Sequence, residues 1–148
     1  NSTGQVWVMS SGDIDQSDNI SGLSLFSVTG VTEGGMLRVG HSGGDMDGDG
    51  VDDIMIAEPG TLDAWSAKQG KIPAQGQGFV YWFPSSTMQA GGTLTVEDAS
   101  AKLTSDGWFG GYGLGIAMGK IGPDGLDDVA LGAPIDSSGK LYLFESGF

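Results

Sequence analysis

Apolar positions along this chain come in short stretches bounded by Gly, Ser, Asp and Pro, and few windows sustain a period near 3.6 residues. "GQVWVMSS" (4–11), "GFVYWFPSS" (78–86) and "GKLYLFESG" (139–147) each open on glycine, alternate large apolar residues and break at serine, so they predict one strand type seen three times. "SGLSLFSVTG" (21–30) and "GGTLTVEDAS" (91–100) predict a second type. The segment 61–77, which contains Trp65, predicts a long loop holding at most a helical turn, because Pro73 and its glycines interrupt anything longer. The expected class is all-β.

An internal repeat organises these strands. "GGMLRVGHSGGDMDGDGVDDIMIAEP" (34–59) aligns without a gap on "FGGYGLGIAMGKIGPDGLDDVALGAP" (109–134). The identities fall on turn-forming positions: Gly40, Gly44, Asp49, Gly50, Asp52, Asp53 and Pro59 meet Gly115, Gly119, Asp124, Gly125, Asp127, Asp128 and Pro134. Lettering the strands from the glycine-rich one gives the order C-D, A-B-C-D, A-B-C. Residues 1–33 then form a partial unit, 34–104 a complete four-stranded unit and 105–148 a second partial unit. Four-stranded antiparallel sheets repeating in this way predict β-propeller-type blades, which bury their faces only against neighbours. Two periods do not close a ring. A β-sandwich with an accidental duplication is the alternative.

Composition narrows the functional classes. A net charge of −13 leaves nothing to neutralise phosphates, which argues against nucleic acid as a partner and favours a cation. Cysteine is absent, so disulfides, thiol nucleophiles and thiolate metal sites are excluded. No apolar run approaches the ~18 residues of a membrane-spanning helix, so membrane insertion is not expected. The sequence opens on Asn-Ser-Thr with neither Met nor a signal peptide, which fits a mature product or a piece of a longer chain. Asn1 and Asn19 begin N-x-S/T sequons and are candidate glycosylation sites in a secreted setting.

The densest chemistry lies in "GGDMDGDGVDDIMIAEP" (43–59), where five aspartates fall within nine residues. With Asp45 as position 1, carboxylates occupy positions 1, 3, 5 and 9: Asp45, Asp47, Asp49 and Asp53. Alternate residues of a tightly curled loop converge on one point, Gly50 permits the turn at position 6, and the carbonyl of Val51 joins at position 7. Hard oxygen ligands in this number predict one Ca²⁺ site, whose ion offsets the carboxylate repulsion. An EF-hand starts with the same ladder but ends on Glu at position 12 between helices; here position 12 is Ile56, in a strand-like run. Asp52 points away by alternation and reads as a turn residue. "DIDQSDN" (13–19) lacks the glycine and reads as a solvated turn.

The second copy of the loop is degenerate. Lys120 stands at position 1 and Gly122 at position 3, leaving Asp124 and Asp128. Either the Lys120 ammonium takes the cation's place between those carboxylates, or the loop kept its shape and lost its ion. Both readings predict no tight Ca²⁺ site there.

Phe109-Gly110 followed by "LDDVALGAP" (126–134) resembles the FG-GAP repeat of integrin α-subunit propellers and of many secreted bacterial proteins. "DMDGDGVDDIMIAEP" is similar to that family's D-x-D-x-D-G-x-x-D calcium loop. The resemblance implies extracellular or cell-surface blades whose A–B loop binds Ca²⁺, in adhesion, recognition or scaffolding. The departures are Gly34-Gly35 and Ala57-Glu58-Pro59 in the first copy, the missing ladder in the second, and a family norm of about seven blades. Three explanations fit the shortfall: a fragment of a longer repeat protein, several chains building one ring, or completion of partial sheets between subunits, head-to-tail and filamentous if it does not close.

No enzyme is expected. The single histidine, His41, lies in the glycine-rich A strand, and a fully caged ion leaves no open position for chemistry. Trp65 and Trp108, near turns, are candidates for stacking on a glycan or protein ligand, while most other aromatics read as core. The expected role is therefore structural or adhesive, with self-association or neighbouring blades as partners. A lectin-like module, or a propeller fragment of a larger secreted adhesin or enzyme, is the alternative.

Overall fold

Period-two alternation is the pattern the backbone obeys. The computed structural model describes residues 3–9, 24–32, 35, 37–59, 78–88, 92–104, 112–134 and 138–146. Within them run β1 (Gln5–Met9), β2 (Ser24–Thr29), β3 (Arg38–Ser42), β4 (Ile54–Glu58), β5 (Phe79–Phe83), the short helix α1 (Ser85–Met88), β6 (Gly92–Thr95), β7 (Ala101–Thr104), β8 (Gly115–Gly119), β9 (Asp128–Ala133) and β10 (Lys140–Phe144). They form three sheets in the orders β1-β2-β6, β3-β4-β5-β7 and β10-β9-β8. The class is all-β; among the described residues there are one four-stranded sheet, two three-stranded sheets and no closed ring.

The middle sheet is covered on both faces, which explains why β4 and β5 read as nearly continuous apolar runs. Ile56, Tyr81 and Phe83 pack against Val6, Phe26 and Val28 of the first sheet. Their strand neighbours Met55, Ala57 and Val80 pack the other way, on Val129, Leu131 and Ala133 of the third sheet. Each strand thus sends alternate side chains into two separate cores, the arrangement stacked blades require.

The fourth strand of the middle sheet differs from the sequence expectation. The segment 91–100 reads as strand D, yet β7, at Ala101–Thr104, pairs antiparallel with β5. β6 instead crosses to the first sheet and pairs parallel with β2, Phe26 opposite Gly92 and Thr29 opposite Thr95. The short 3-10 turn Val96–Asp98 separates the two strands, capped by the Thr95 hydroxyl and the Asp98 carboxylate. Val96 and Leu94 join the core between the first and middle sheets. One consequence is that β2, the N-terminal D strand, is flanked on both edges and is not a spare strand for another subunit.

The outer faces of the two terminal sheets are unlike. On the third sheet Leu141 and Leu143 are 68% and 59% exposed, and register places them beside Gly132 and Ala130, giving a small-residue apolar face. On the first sheet Trp7 and Leu25 are exposed among Gln5, Thr93 and the hydrogen-bonded pair Gln5–Ser27. No helix among the described residues is long and apolar enough to cross a membrane.

Candidate metal centre

The acidic loop is the A–B connection, joining β3 to β4. Its base is closed by two backbone bonds, Gly43 N–H to Asp53 O at 3.2 Å and Asp53 N–H to Gly44 O at 2.9 Å. Inside that base the carboxylates fold inward. Asp45 accepts the N–H groups of Gly48 (2.7 Å), Asp49 (3.1 Å) and Gly50 (3.0 Å). Asp47 also accepts from Asp49 N–H at 3.1 Å, and Asp49 accepts from Val51 N–H at 2.8 Å. Gly50 makes the turn at φ +84°, where a side chain would be strained.

This wrapping brings one oxygen from each of Asp45, Asp47 and Asp49 within 4.8 Å of the others. The spacing fits a hard cation: ligands at ~2.3–2.6 Å on opposite sides of Ca²⁺ stand about twice that distance apart. The electrostatics agree. Partial desolvation, and then the neighbouring charges of Asp53, Asp49 and Asp45, hold Asp47 above the ordinary carboxylate value despite a bond from the Asp49 backbone. Three acceptor-only groups around one point make a donor set that a divalent ion satisfies.

The structure gathers Asp45, Asp47 and Asp49 but does not bring Asp53 into the same group. Asp53 is fully buried, and its oxygens accept three hydrogen bonds: from Met46 N–H at 3.0 Å, Trp82 Nε1 at 3.0 Å and Ser85 N–H at 2.9 Å. It ties the loop's exit to the end of β5 and the start of α1. Val51, whose carbonyl is the fourth expected ligand, follows the Gly50 turn with an exposed side chain. Asp52 is exposed, as alternation predicts.

Sequence reasoning missed Ser85. This buried residue donates its N–H to Asp53 and its hydroxyl to Asp49 Oδ2 at 2.5 Å, so it fixes the loop's exit and one candidate ligand together. A signal was present in the repeat, because serine closes the C strand in both later copies. Ser146 donates its N–H to Asp128 Oδ1 at 2.9 Å and its hydroxyl to the same oxygen at 3.3 Å.

The second loop keeps the shape. Gly125 turns at φ +84°, matching Gly50, and Asp128 anchors the exit by accepting Ile121 N–H (2.8 Å) and Gly122 N–H (2.7 Å) in addition to Ser146. Those backbone donors, Ser146 first, hold Asp128 below the usual carboxylate range. Asp124 accepts from Leu126 N–H. Lys120 is not placed between Asp124 and Asp128. Its ammonium donates to the Gly125 carbonyl and lies 3.9 Å from Asp127, because position 1 of the loop faces the turn rather than the anchoring carboxylate.

His41 lies in β3 opposite Met55. Asn1, Asn19, Trp65, Trp108, Phe109, Gly110 and the cluster 13–19 lie outside the described residues.

The described residues thus combine stacked β-sheets with an acidic hairpin between β3 and β4. Among curated proteins the chain is similar to integrin alpha-PS2 of Drosophila melanogaster, 30% identical over 127 residues covering 82% of this chain and 8% of that protein. It is also similar to integrin alpha-5 of Xenopus laevis, 27% identical over 125 residues covering 82% of this chain and 11% of that protein. The chain therefore spans about a tenth of the length of the curated relatives it matches. No protein-family model matches it.

Proposed function

We propose that this chain is a calcium-stabilised section of an extracellular propeller-type repeat protein, with a structural or adhesive role and no catalytic one. The observation that carries the reading is the convergence of Asp45, Asp47 and Asp49 on one point within a hairpin whose base and exit are already fixed. Asp45, Asp47, Asp49 and the Val51 carbonyl would hold one Ca²⁺, and Asp53 would hold the loop that presents them. The ion supplies charge compensation, fastening the A–B turn of the middle sheet. The similarity to integrin α subunits and the FG-GAP-like motifs support a cell-surface setting and adhesion.

The units 1–33, 34–104 and 105–148 are then consecutive pieces of a stack, with β6 of the second unit crossing to complete the first sheet. The apolar outer face bearing Leu141 and Leu143 supports a neighbouring blade or a second chain as partner. Thermal unfolding of chelator-treated chain with and without Ca²⁺ tests the reading. A rise in midpoint with Ca²⁺, larger than with Mg²⁺ at equal concentration, is expected; identical midpoints in all three conditions contradict it.

A further inference from the structure

The intact loop and the degenerate loop are bonded to each other. Asp127 donates its backbone N–H to the Asp45 carbonyl at 2.9 Å, and Asp45 donates its N–H to the Asp127 carboxylate at 3.0 Å. Both backbone groups of the residue that opens the ladder are therefore held by one residue of the neighbouring sheet's loop. The approach is as close as the chain allows: a Cβ on Gly44 would stand 2.9 and 3.0 Å from Met118 atoms and 3.2 Å from the Asp127 Cβ. Met46, next along, is buried in the core shared with the third sheet. Behind Asp127 stands the Lys120 ammonium at 3.9 Å, itself bonded to the Gly125 carbonyl of its own loop.

The direction of an aspartate side chain follows the orientation of its backbone. Asp45 is also the carboxylate around which Gly48, Asp49 and Gly50 fold. Fixing its peptide groups therefore fixes the centre of the loop before any ion arrives, which lowers the ordering cost of binding. We propose that Asp127 is a positioning residue for cation binding at the first loop, with Lys120 holding Asp127 in place. The loop that lost its own ladder serves as the base for its neighbour's, and ion binding in one sheet fastens the boundary to the next. This inference rests on the calcium reading above.

The test is calcium titration of the full chain and of Asp127→Ala and Asp127→Asn, with hydrogen exchange at the Asp45 amide in chelator. Positioning predicts about tenfold weaker binding in Asp127→Ala, in the range of lost outer-shell partners, with faster exchange at Asp45. Asp127→Asn keeps an oxygen acceptor and is expected to lose clearly less affinity than Asp127→Ala. Equal affinity in Asp127→Ala, or an Asp127→Asn as weak as Asp127→Ala, overturns the inference, the second outcome showing a purely electrostatic effect. If Asp127→Ala does not fold, Lys120→Met carries the test, and an unchanged affinity there overturns it. Failure of the unmutated chain to bind Ca²⁺ overturns the calcium reading as well; binding by the unmutated chain alongside an equal Asp127→Ala overturns this inference alone.

Discussion

Asp128 and Ser146 are joined by two hydrogen bonds, 2.9 Å from the Ser146 N–H and 3.3 Å from its hydroxyl, both ending on the same carboxylate oxygen. One repeat earlier, Asp53 and Ser85 share the same backbone bond at 2.9 Å. The last aspartate of each loop thus fastens the hairpin to the end of strand C, whether or not the rest of the ladder survives.

Acid should release this fastening. Backbone donors lower the folded-state value of Asp128, while in the unfolded chain it titrates near ~3.9. Its stabilisation is therefore complete above about pH 4 and is lost as pH falls through the lower folded value. Urea midpoints across pH 2.5–7 are expected to fall on the acid side. Asp128→Asn should be less stable at pH 7 and show a flatter acid limb below about pH 4.

Asp47 has the opposite sign. Its folded value is raised, so the ionised form opposes folding of the ion-free chain above that value, and protonation relieves the strain. In chelator at neutral pH, Asp47→Asn should raise the thermal midpoint slightly, the exposed position being screened by solvent. With Ca²⁺ present the order should reverse, because the variant loses a ligand and binds at least about tenfold more weakly. Differential scanning calorimetry in the two conditions reads both effects.

Glu58 is fully buried; Tyr81 donates its hydroxyl to one oxygen at 2.8 Å, and the other oxygen has no partner among the described residues. Burial, and then Glu58 as acceptor, push the Tyr81 phenol well above its usual value. Tyr81→Phe should cost about 1–3 kcal/mol in urea melts, by leaving a buried carboxylate unpaired. Glu58→Gln should cost less in the Tyr81→Phe background than alone, a coupling that a double-mutant cycle measures.

The face carrying Leu141 and Leu143 should make the isolated chain associate. Sedimentation velocity at rising concentration is expected to show self-association that Leu141→Glu with Leu143→Glu removes. A concentration-independent monomer with the wild-type face would remove the support this face lends to a partner.

Much of the fold was legible because alternation and the internal repeat are local properties. Ile56 and Met55 had to face opposite ways, and the gap-free match of 34–59 to 109–134 located both hairpins. The assignment of β6 and β7 was not legible. Both are short alternating segments, and which of them pairs with β2 and which with β5 is a contact distant in sequence that local pattern does not report. The ladder Asp45-Asp47-Asp49 was legible from spacing. The anchoring bonds of Asp53 were not, although Asp128 persisting in a loop without the ladder pointed to a task independent of an ion. Asp127, read only as a repeat match, acquires its part from an inter-sheet contact that spacing does not report.

The central claim is that one divalent ion sits among Asp45, Asp47 and Asp49. Isothermal titration of chelator-treated chain with Ca²⁺, beside Asp45→Asn, tests it most directly. Saturable binding at one ion per chain is expected in the native sequence, and its loss in Asp45→Asn. No heat of binding in the native chain, or undiminished binding in Asp45→Asn, would contradict it.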